Sequence, residues 1–370
     1  MSNPKAIYFK NLDGLRAFAA LSVLLYHSAH WYKIPHNFKL YYFLTFGDKG
    51  GACGVQFFLI LSGFLITYLL FTEQGTNKKI NIFNFYIRRL LRVWPLYYLT
   101  LLIGFYIYPL ILKFITGQNY IENASLFLYS IFAVNFDHIY NGNPSIGILG
   151  VQWSVAIEEQ FYLFWPLFFY ISIKSNYFPV FLILVTLFSE LFYLQNFNTY
   201  IGYYHFYSNI RFLAIGGLIS YISFYKLNWI DYFFKMISLK KNMIIYSFCI
   251  SLLFLNNFLV AKSTFFNLIF EIIPILFFSY VILEQNYSGN SFVKLGKYKT
   301  LNWLGKISYG IYLYHMIVIY LITNLTTNYK EFYLIKIIIT TILTLLISHL
   351  SYIYFEKYFI SLKHKFSNIL

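Results

Sequence analysis

The chain has 370 residues, of which 59% are hydrophobic, 24% aromatic and only 11% charged. A soluble domain carries about 25% charged residues, so the composition argues against a water-soluble enzyme. The formal net charge of +15 suggests nucleic acid as a partner. The basic residues instead cluster in short loops between apolar runs, which is the positive-inside pattern and argues against nucleic-acid binding.

Apolar runs of about 20 residues predict an all-α polytopic membrane helix bundle with about ten transmembrane helices. They fall at 12–32, 53–72, 93–116, 153–173, 176–195, 204–225, 242–261, 263–284, 303–323 and 332–356. Lys5 and Lys10 before the first run imitate a signal peptide. The length of that run and the ionisable residues inside it argue against cleavage. Cys53 and Cys249 both lie in apolar runs, so neither a disulfide framework nor a Cys-rich metal site is expected.

The first run, Leu12 to Trp31, carries Arg16 and His27 eleven positions apart. At about 100° per residue that spacing returns within about 20° of the same helix face, with a rise of roughly 16 Å. An ionisable group inside a span is costly and usually functional. In the second run, the small pair Ser62-Gly63 permits close helix approach. Packing alone explains it, and a substrate chain running beside the backbone is the alternative.

Next comes FYIRRLLRVWPLYYL, Phe85 to Leu99. Arg88, Arg89 and Arg92 precede a span whose start Pro95 would mark, because a proline needs no N–H partner there. Ordinary cytoplasmic anchoring explains three arginines. Arg89 and Arg92 also share a helix face, and guanidinium forks suit phosphate oxygens. With Lys78 and Lys79 they are candidates to hold a phosphorylated cytosolic donor.

The longest loop, about 117–152, contains a shorter apolar piece at 124–135. Twelve residues make about 18 Å of helix, too short to cross a core of about 30 Å. A re-entrant or interfacial helix is expected there. If it does not cross, most of the 28 basic residues fall on one side, including the loops 226–241 and 294–299. Both termini are then cytoplasmic.

The fourth run opens with QWSVAIEEQFYLFWP, Gln152 to Pro166. Glu158 and Glu159 point about 100° apart, so one of them can face the His27 side. A carboxylate paired with an imidazole orients that base; interhelical glue is the plainer reading. Glu190, Arg211, Glu271 and His315 are further polar residues inside spans. Arg211 is expected in an ion pair with Glu190 or Glu271. His315 shares a face with Tyr309 and Tyr312 at a depth like that of His27. Glu356 reads as anchoring, and no internal repeat is visible.

Together these residues resemble the acyltransferase-3 family of integral membrane O-acyltransferases, the OafA-like proteins. The Arg-x10-His signature matches Arg16 and His27, and the small-residue motif matches Phe57, Phe58, Ser62 and Gly63. Arg-x-x-Arg followed by proline matches Arg89, Arg92 and Pro95. Trp153, Ser154, Glu158, Glu159, Gln160, Phe161, Tyr162 and Pro166 match a fourth segment; Ser308, Tyr309, Tyr312, Leu313 and His315 match a fifth.

The resemblance implies one integral membrane acyltransferase domain over 1–370, in a bacterial inner (cytoplasmic) membrane. It would move an acyl group, usually acetyl, from cytosolic acetyl-CoA to a hydroxyl of a glycan or lipid-linked sugar. His27 would act as general base or carry the acyl group, with Glu158 orienting it and Arg16 stabilising negative charge. Arg89, Arg92, Arg88 and Lys78 would hold the CoA phosphates. Trp153, Ser154, Tyr309, His315, Arg211 and His138 are the expected acceptor contacts, with Asp137 beside His138. No metal is implied.

Some members carry a C-terminal SGNH-type hydrolase-like domain. This chain ends about fourteen residues after its last predicted span, so that domain is expected to be absent. Either a separate extracytoplasmic protein completes transfer, or this chain acylates its acceptor directly. A non-catalytic glycolipid transporter or flippase is the alternative; it predicts repeat symmetry and interrupted helices. A glycan polymerase, the third reading, would be indifferent to CoA.

Overall fold

The computed structural model describes residues 9–35, 39–47, 49–117, 119–141, 147–173, 177–260, 264–326 and 332–366, with side chains described except at 255–270. Lys5, Lys174, Lys262, Lys330 and the loop formers Gly142, Asn143 and Pro144 lie outside the described residues. Among those described there is no strand. A backbone in hydrocarbon must satisfy its N–H and C=O groups within its own segment, and helices do this.

The helices that matter below are α1 (Lys10–Trp31), α2 (Gly50–Asn77), α3 (Ile82–Leu102), α4 (Trp153–Ser172), α5 (Phe178–Gln195), α6 (Phe206–Tyr225), α7 (Leu227–Met236), α8 (Leu239–Val260), α9 (Thr264–Tyr287), α10 (Ser308–Leu325) and α11 (Tyr333–Ser351). A long helix thus lies at each predicted span. Among the described residues, five helical segments are long and apolar enough to cross a membrane, or six if the bent pair Tyr200–Tyr225 and Leu227–Met236 is one span.

Two local expectations change. Pro95 does not open a helix: α3 starts at Ile82, capped by Asn81, whose side chain accepts from the Asn84 N–H at 2.9 Å. Pro95 is therefore interior, and Arg88, Arg89 and Arg92 ride on the helix rather than ahead of it. The cap, a side-chain oxygen for an orphan N–H, set the start better than the proline did. The segment 124–135 is not one helix but parts of two, Leu126–Ser130 and Val134–Tyr140. Between them Phe132 takes a positive φ of 56°.

Contacts divide the chain into two compact units. The first comprises the described residues of 69–211 and 309–366. Its aromatic core includes Phe71, Phe169 and Phe178, with ring centroids 4.9 to 5.4 Å apart. Its broken loop is tied down by Gln160 Nε2, which donates to the Phe132 carbonyl at 2.9 Å and to Asn135 Oδ1 at 2.8 Å.

The second unit comprises Ile7–Tyr68 and Phe212–Ser308. Here α2 and α6 meet backbone to backbone, because a Cβ on Gly63 would collide with the Leu213 carbonyl and one on Gly216 with that of Ile60. This is the close approach that small residues allow. Fully buried Glu284 accepts from Asn242 Nδ2, Tyr246 Oη and Gln285 Nε2 at 2.8 to 2.9 Å. Lys294 Nζ caps the end of α9 on the Glu284 and Gln285 carbonyls; burial lowers its pKa, and the Glu284 charge partly restores it. Asn11 bonds the Gln285 carbonyl at 2.7 Å and the Gly296 N–H at 2.8 Å, which fixes the start of α1.

Candidate active site

In the first unit, α3, α4 and α10 carry Arg89, Trp153, Ser154, Glu158, Tyr309 and His315 in a largely buried polar region. Glu158 on α4 accepts from Tyr162 Oη, one turn on, at 2.7 Å. Glu159 accepts from Trp94 Nε1 on α3 at 2.8 Å. Its other oxygen, Oε1, is buried without a hydrogen-bond partner among the described residues. The two carboxylates differ as their 100° separation requires: one accepts a bond from its own helix, the other from α3.

Arg89 is 8% exposed. Its guanidinium lies 5.8 Å from the ring centroids of both Phe85 and Tyr162. Its Nε has no hydrogen-bond partner among the described residues. Burying a cation costs several kcal/mol unless an opposite charge accompanies it, and aromatic faces recover only about 1–2 of these. Glu159 interacts electrostatically with Arg89, and the partnerless Nε leaves a donor for an anionic ligand. Arg92, on the next turn, is exposed and interacts electrostatically with buried Glu356.

Arg88 is differently engaged. Its NH2 meets Glu73 Oε2 at 2.9 Å and its NH1 the Phe366 carbonyl at 2.8 Å. The other oxygen of Glu73 takes the Asn81 N–H at 3.0 Å, so this carboxylate staples the α2–α3 turn. Lys78 and Lys79 are exposed in that turn. Lys79 lines an open cleft of about 690 Å³ with Asn77, Asn81 and Tyr170.

On α10, Tyr309 Oη donates to the Val93 carbonyl at 3.1 Å. Tyr312 Oη lies 2.7 Å from Ser154 Oγ and 2.9 Å from the Val151 carbonyl. His315 is fully buried, with Nδ1 3.2 Å from the Ile311 carbonyl and its ring 5.8 Å from that of Tyr312. Trp153 packs on Tyr203 and Tyr204. Trp94 and Tyr162 are members of this region that the sequence left unassigned; the position of Tyr162 one turn from Glu158 was the available signal, and Trp94, five residues from Arg89, offered none.

Two predicted acceptor contacts lie elsewhere in the unit. Arg211 is 3% exposed and pairs with Glu190 at 2.7 Å, with its guanidinium 3.9 Å from the Tyr193 ring centroid. His138 is buried, 2.9 Å through Nε2 from the Gly150 carbonyl and stacked on Tyr204. Its neighbour Asp137 accepts from Asn141 Nδ2 at 2.7 Å. The His138 and Asp137 contacts hold residues 134–141 against Gly150 and Tyr204.

In the same loop Glu122 accepts from Tyr120 Oη at 2.7 Å and from the Ala124 N–H at 3.3 Å. Burial pushes its carboxyl above the usual range, partly offset by those hydrogen bonds.

The second unit holds Arg16 and His27. Continuous helix from Lys10 to Trp31 keeps both on one face. Arg16 NH1 is paired with Asp13 Oδ1 at 3.1 Å, one turn back. The His27 ring is half-buried, 5.3 Å from the Tyr26 ring. Among the described residues no His/Cys/Asp/Glu cluster fit to hold a metal ion occurs.

A model of the acyltransferase domain family matches residues 9–353. Peptidoglycan O-acetyltransferase OatA of Listeria monocytogenes is 28% identical over 345 residues, covering 88% of this chain and 51% of that protein. O-acetyltransferase OatA of Staphylococcus aureus is 28% identical over 375 residues, covering 94% of this chain and 57% of that protein. The chain thus spans about half the length of the curated relatives it matches. No solved structure matches it.

Proposed function

We propose, from the fact that this chain belongs to the acyltransferase-3 family, that it transfers an acetyl group from cytosolic acetyl-CoA to a glycan hydroxyl. The name of the Listeria monocytogenes relative supports peptidoglycan as the acceptor. The protein would be a multi-pass protein of a bacterial cytoplasmic membrane, with one acyltransferase domain and both termini on the cytoplasmic side. The observation that carries the donor assignment is Arg89: a buried guanidinium between two rings, with an unpartnered Nε. That arrangement fits a phosphate-bearing ligand.

In this reading Arg89 and Arg92 hold the donor phosphates, and Lys78 adds charge from the α2–α3 turn. Arg88 supports them by fixing that turn. His27 removes the proton from the acceptor hydroxyl as its oxygen attacks the thioester carbon. The carbon–sulfur bond breaks, and His27 returns the proton to the departing thiolate. Acylation of His27 itself before transfer is the covalent variant of this route. Arg16 stabilises the negative charge that develops on the carbonyl oxygen. Glu158 is the carboxylate of the reaction centre, and Trp153, Ser154, Tyr309 and His315 line the acceptor side.

The test is transfer of label from radioactive acetyl-CoA in membranes containing matched amounts of protein. His27→Ala should lower transfer by about 10²–10⁴-fold. Wild-type transfer by that variant would overturn the mechanism, and no transfer by the wild-type chain would overturn the activity.

A further inference from the structure

The chain turns through 96° between α6, which ends at Tyr225, and α7, which begins at Leu227. Lys226 makes the corner, with φ −127° and ψ 34°. If α6 runs along the membrane normal, α7 lies in the membrane plane.

The side chains of α7 sort into three sectors at about 100° per residue. Ile230 and Phe234 form the first and are each 3% exposed. The Phe234 ring is 5.9 Å from that of Tyr280 on α9, so this sector faces protein. Trp229, Phe233 and Met236 form the second, and they are 65%, 48% and 58% exposed. Asn228, Asp231 and Lys235 form the third, and all are exposed.

A helix in a uniform solvent needs two sectors. Three sectors match three surroundings: protein, hydrocarbon and water. The corner adds a polar feature. A cleft of about 660 Å³ opens there, lined by Tyr225, Lys226, Asn228, Trp229 and Tyr232 among others. The nearby charges are mostly positive: Lys226, Lys235, Lys240 and Lys241 are exposed, against one acid, Asp231. Indole and phenol groups beside lysine occupy the headgroup level of bilayers.

We propose that α7 lies flat in the bilayer–water interface and that the cleft at Lys226 holds the phosphate headgroup of an anionic phospholipid. Trp229, Phe233 and Met236 enter the acyl-chain boundary, while Asp231 and Lys235 stay in water. Lys226 supplies the charge for the headgroup, and Asn228 and Tyr232 supply hydrogen bonds. The inference rests on the chain spanning a membrane, yet it fails separately from the acyltransferase reading. Acetyl transfer by a reconstituted sample reports one, and the fluorescence of Trp229 reports the other.

The experiment uses the full chain in phosphatidylcholine vesicles. These contain a fixed fraction of either bromine-labelled phosphatidylcholine or bromine-labelled phosphatidylglycerol. Quenching of Trp229 is the difference between wild type and Trp229→Phe. Both labels should quench it, and the phosphatidylglycerol label should quench more. Lys226→Gln should weaken the phosphatidylglycerol preference about fivefold, the effect of one lysine near an anionic surface, and Lys226→Arg should retain it. Absence of quenching by either label would overturn the interfacial placement. Equal quenching in the wild type, or a preference untouched by Lys226→Gln, would overturn the headgroup site.

Discussion

The indole of Trp94 on α3 donates to Glu159 on α4 at 2.8 Å, and that carboxylate's second oxygen is buried with no hydrogen-bond partner among the described residues. The Glu159 carboxylate thus depends on one donor. Trp94→Phe keeps an aromatic ring, smaller than indole, and removes the N–H, leaving both oxygens unsatisfied. It should destabilise the protein by about 1–3 kcal/mol. Adding Glu159→Gln should return part of the loss, because a neutral amide costs less to bury than a charge. Thermal denaturation in detergent reads both; an unchanged melting temperature in Trp94→Phe would show that the bond contributes nothing.

Arg88, Arg89 and Arg92 are close in sequence and differ in surroundings, so their substitutions should separate. Arg89→Lys keeps the charge but loses the planar fork stacked between Phe85 and Tyr162, and Lys does not replace it. Acetyl-CoA affinity should fall by about 10- to 100-fold, the cost of one or two charge-assisted hydrogen bonds. Arg92→Gln should cost less, and its effect should shrink as salt rises, since exposed charges are screened. Arg88→Gln should lower the melting temperature and weaken acetyl-CoA affinity less than Arg89→Lys does, because its partners are Glu73 and Phe366. Isothermal titration beside thermal melts distinguishes the three.

Arg211→Gln should act on stability. Its loss leaves Glu190, 25% exposed, without a counter-charge at a half-buried position. The expected cost is on the order of 3 kcal/mol. Acetyl transfer per folded molecule should remain near the wild-type value. A raised KM for the acceptor at an unchanged melting temperature would return Arg211 to the acceptor site.

Glu122 should make the 119–141 loop sensitive to pH. Burial raises its folded-state pKa above the unfolded value near 4.5. The stabilisation is therefore full below the unfolded value and is lost as pH rises through the folded one. The wild type should thus gain stability relative to Glu122→Gln on acidification from neutral pH. Melting temperatures of the pair, recorded across that range, give the difference; a pair of parallel curves would count against it.

Much of this architecture was legible in the residues themselves. Apolar runs long enough to cross hydrocarbon reported the helices, since the bilayer leaves a backbone few alternatives. Ser62-Gly63 announced a close crossing, which Gly63 makes against Leu213. The ion pair of Arg211 was expected with either of two glutamates, and Glu190 takes it. Pro95 misled, because a proline consistent with a helix start is also tolerated inside a helix that began earlier; the Asn81 cap was the better signal.

By itself the sequence determined what depends on near neighbours. The 3.6-residue period puts Arg16 and His27 on one face of α1 and turns Glu158 away from Glu159. Only the tertiary structure decided which carboxylate Trp94 reaches, 65 residues away, and that Tyr309 bonds the Val93 carbonyl, 216 residues away. It also separated Arg88, bound to Glu73, from Arg89, buried between rings. Helical phase is local and is written in spacing. The partner of a buried charge is set by which distant helix packs against it, and spacing carries no record of that.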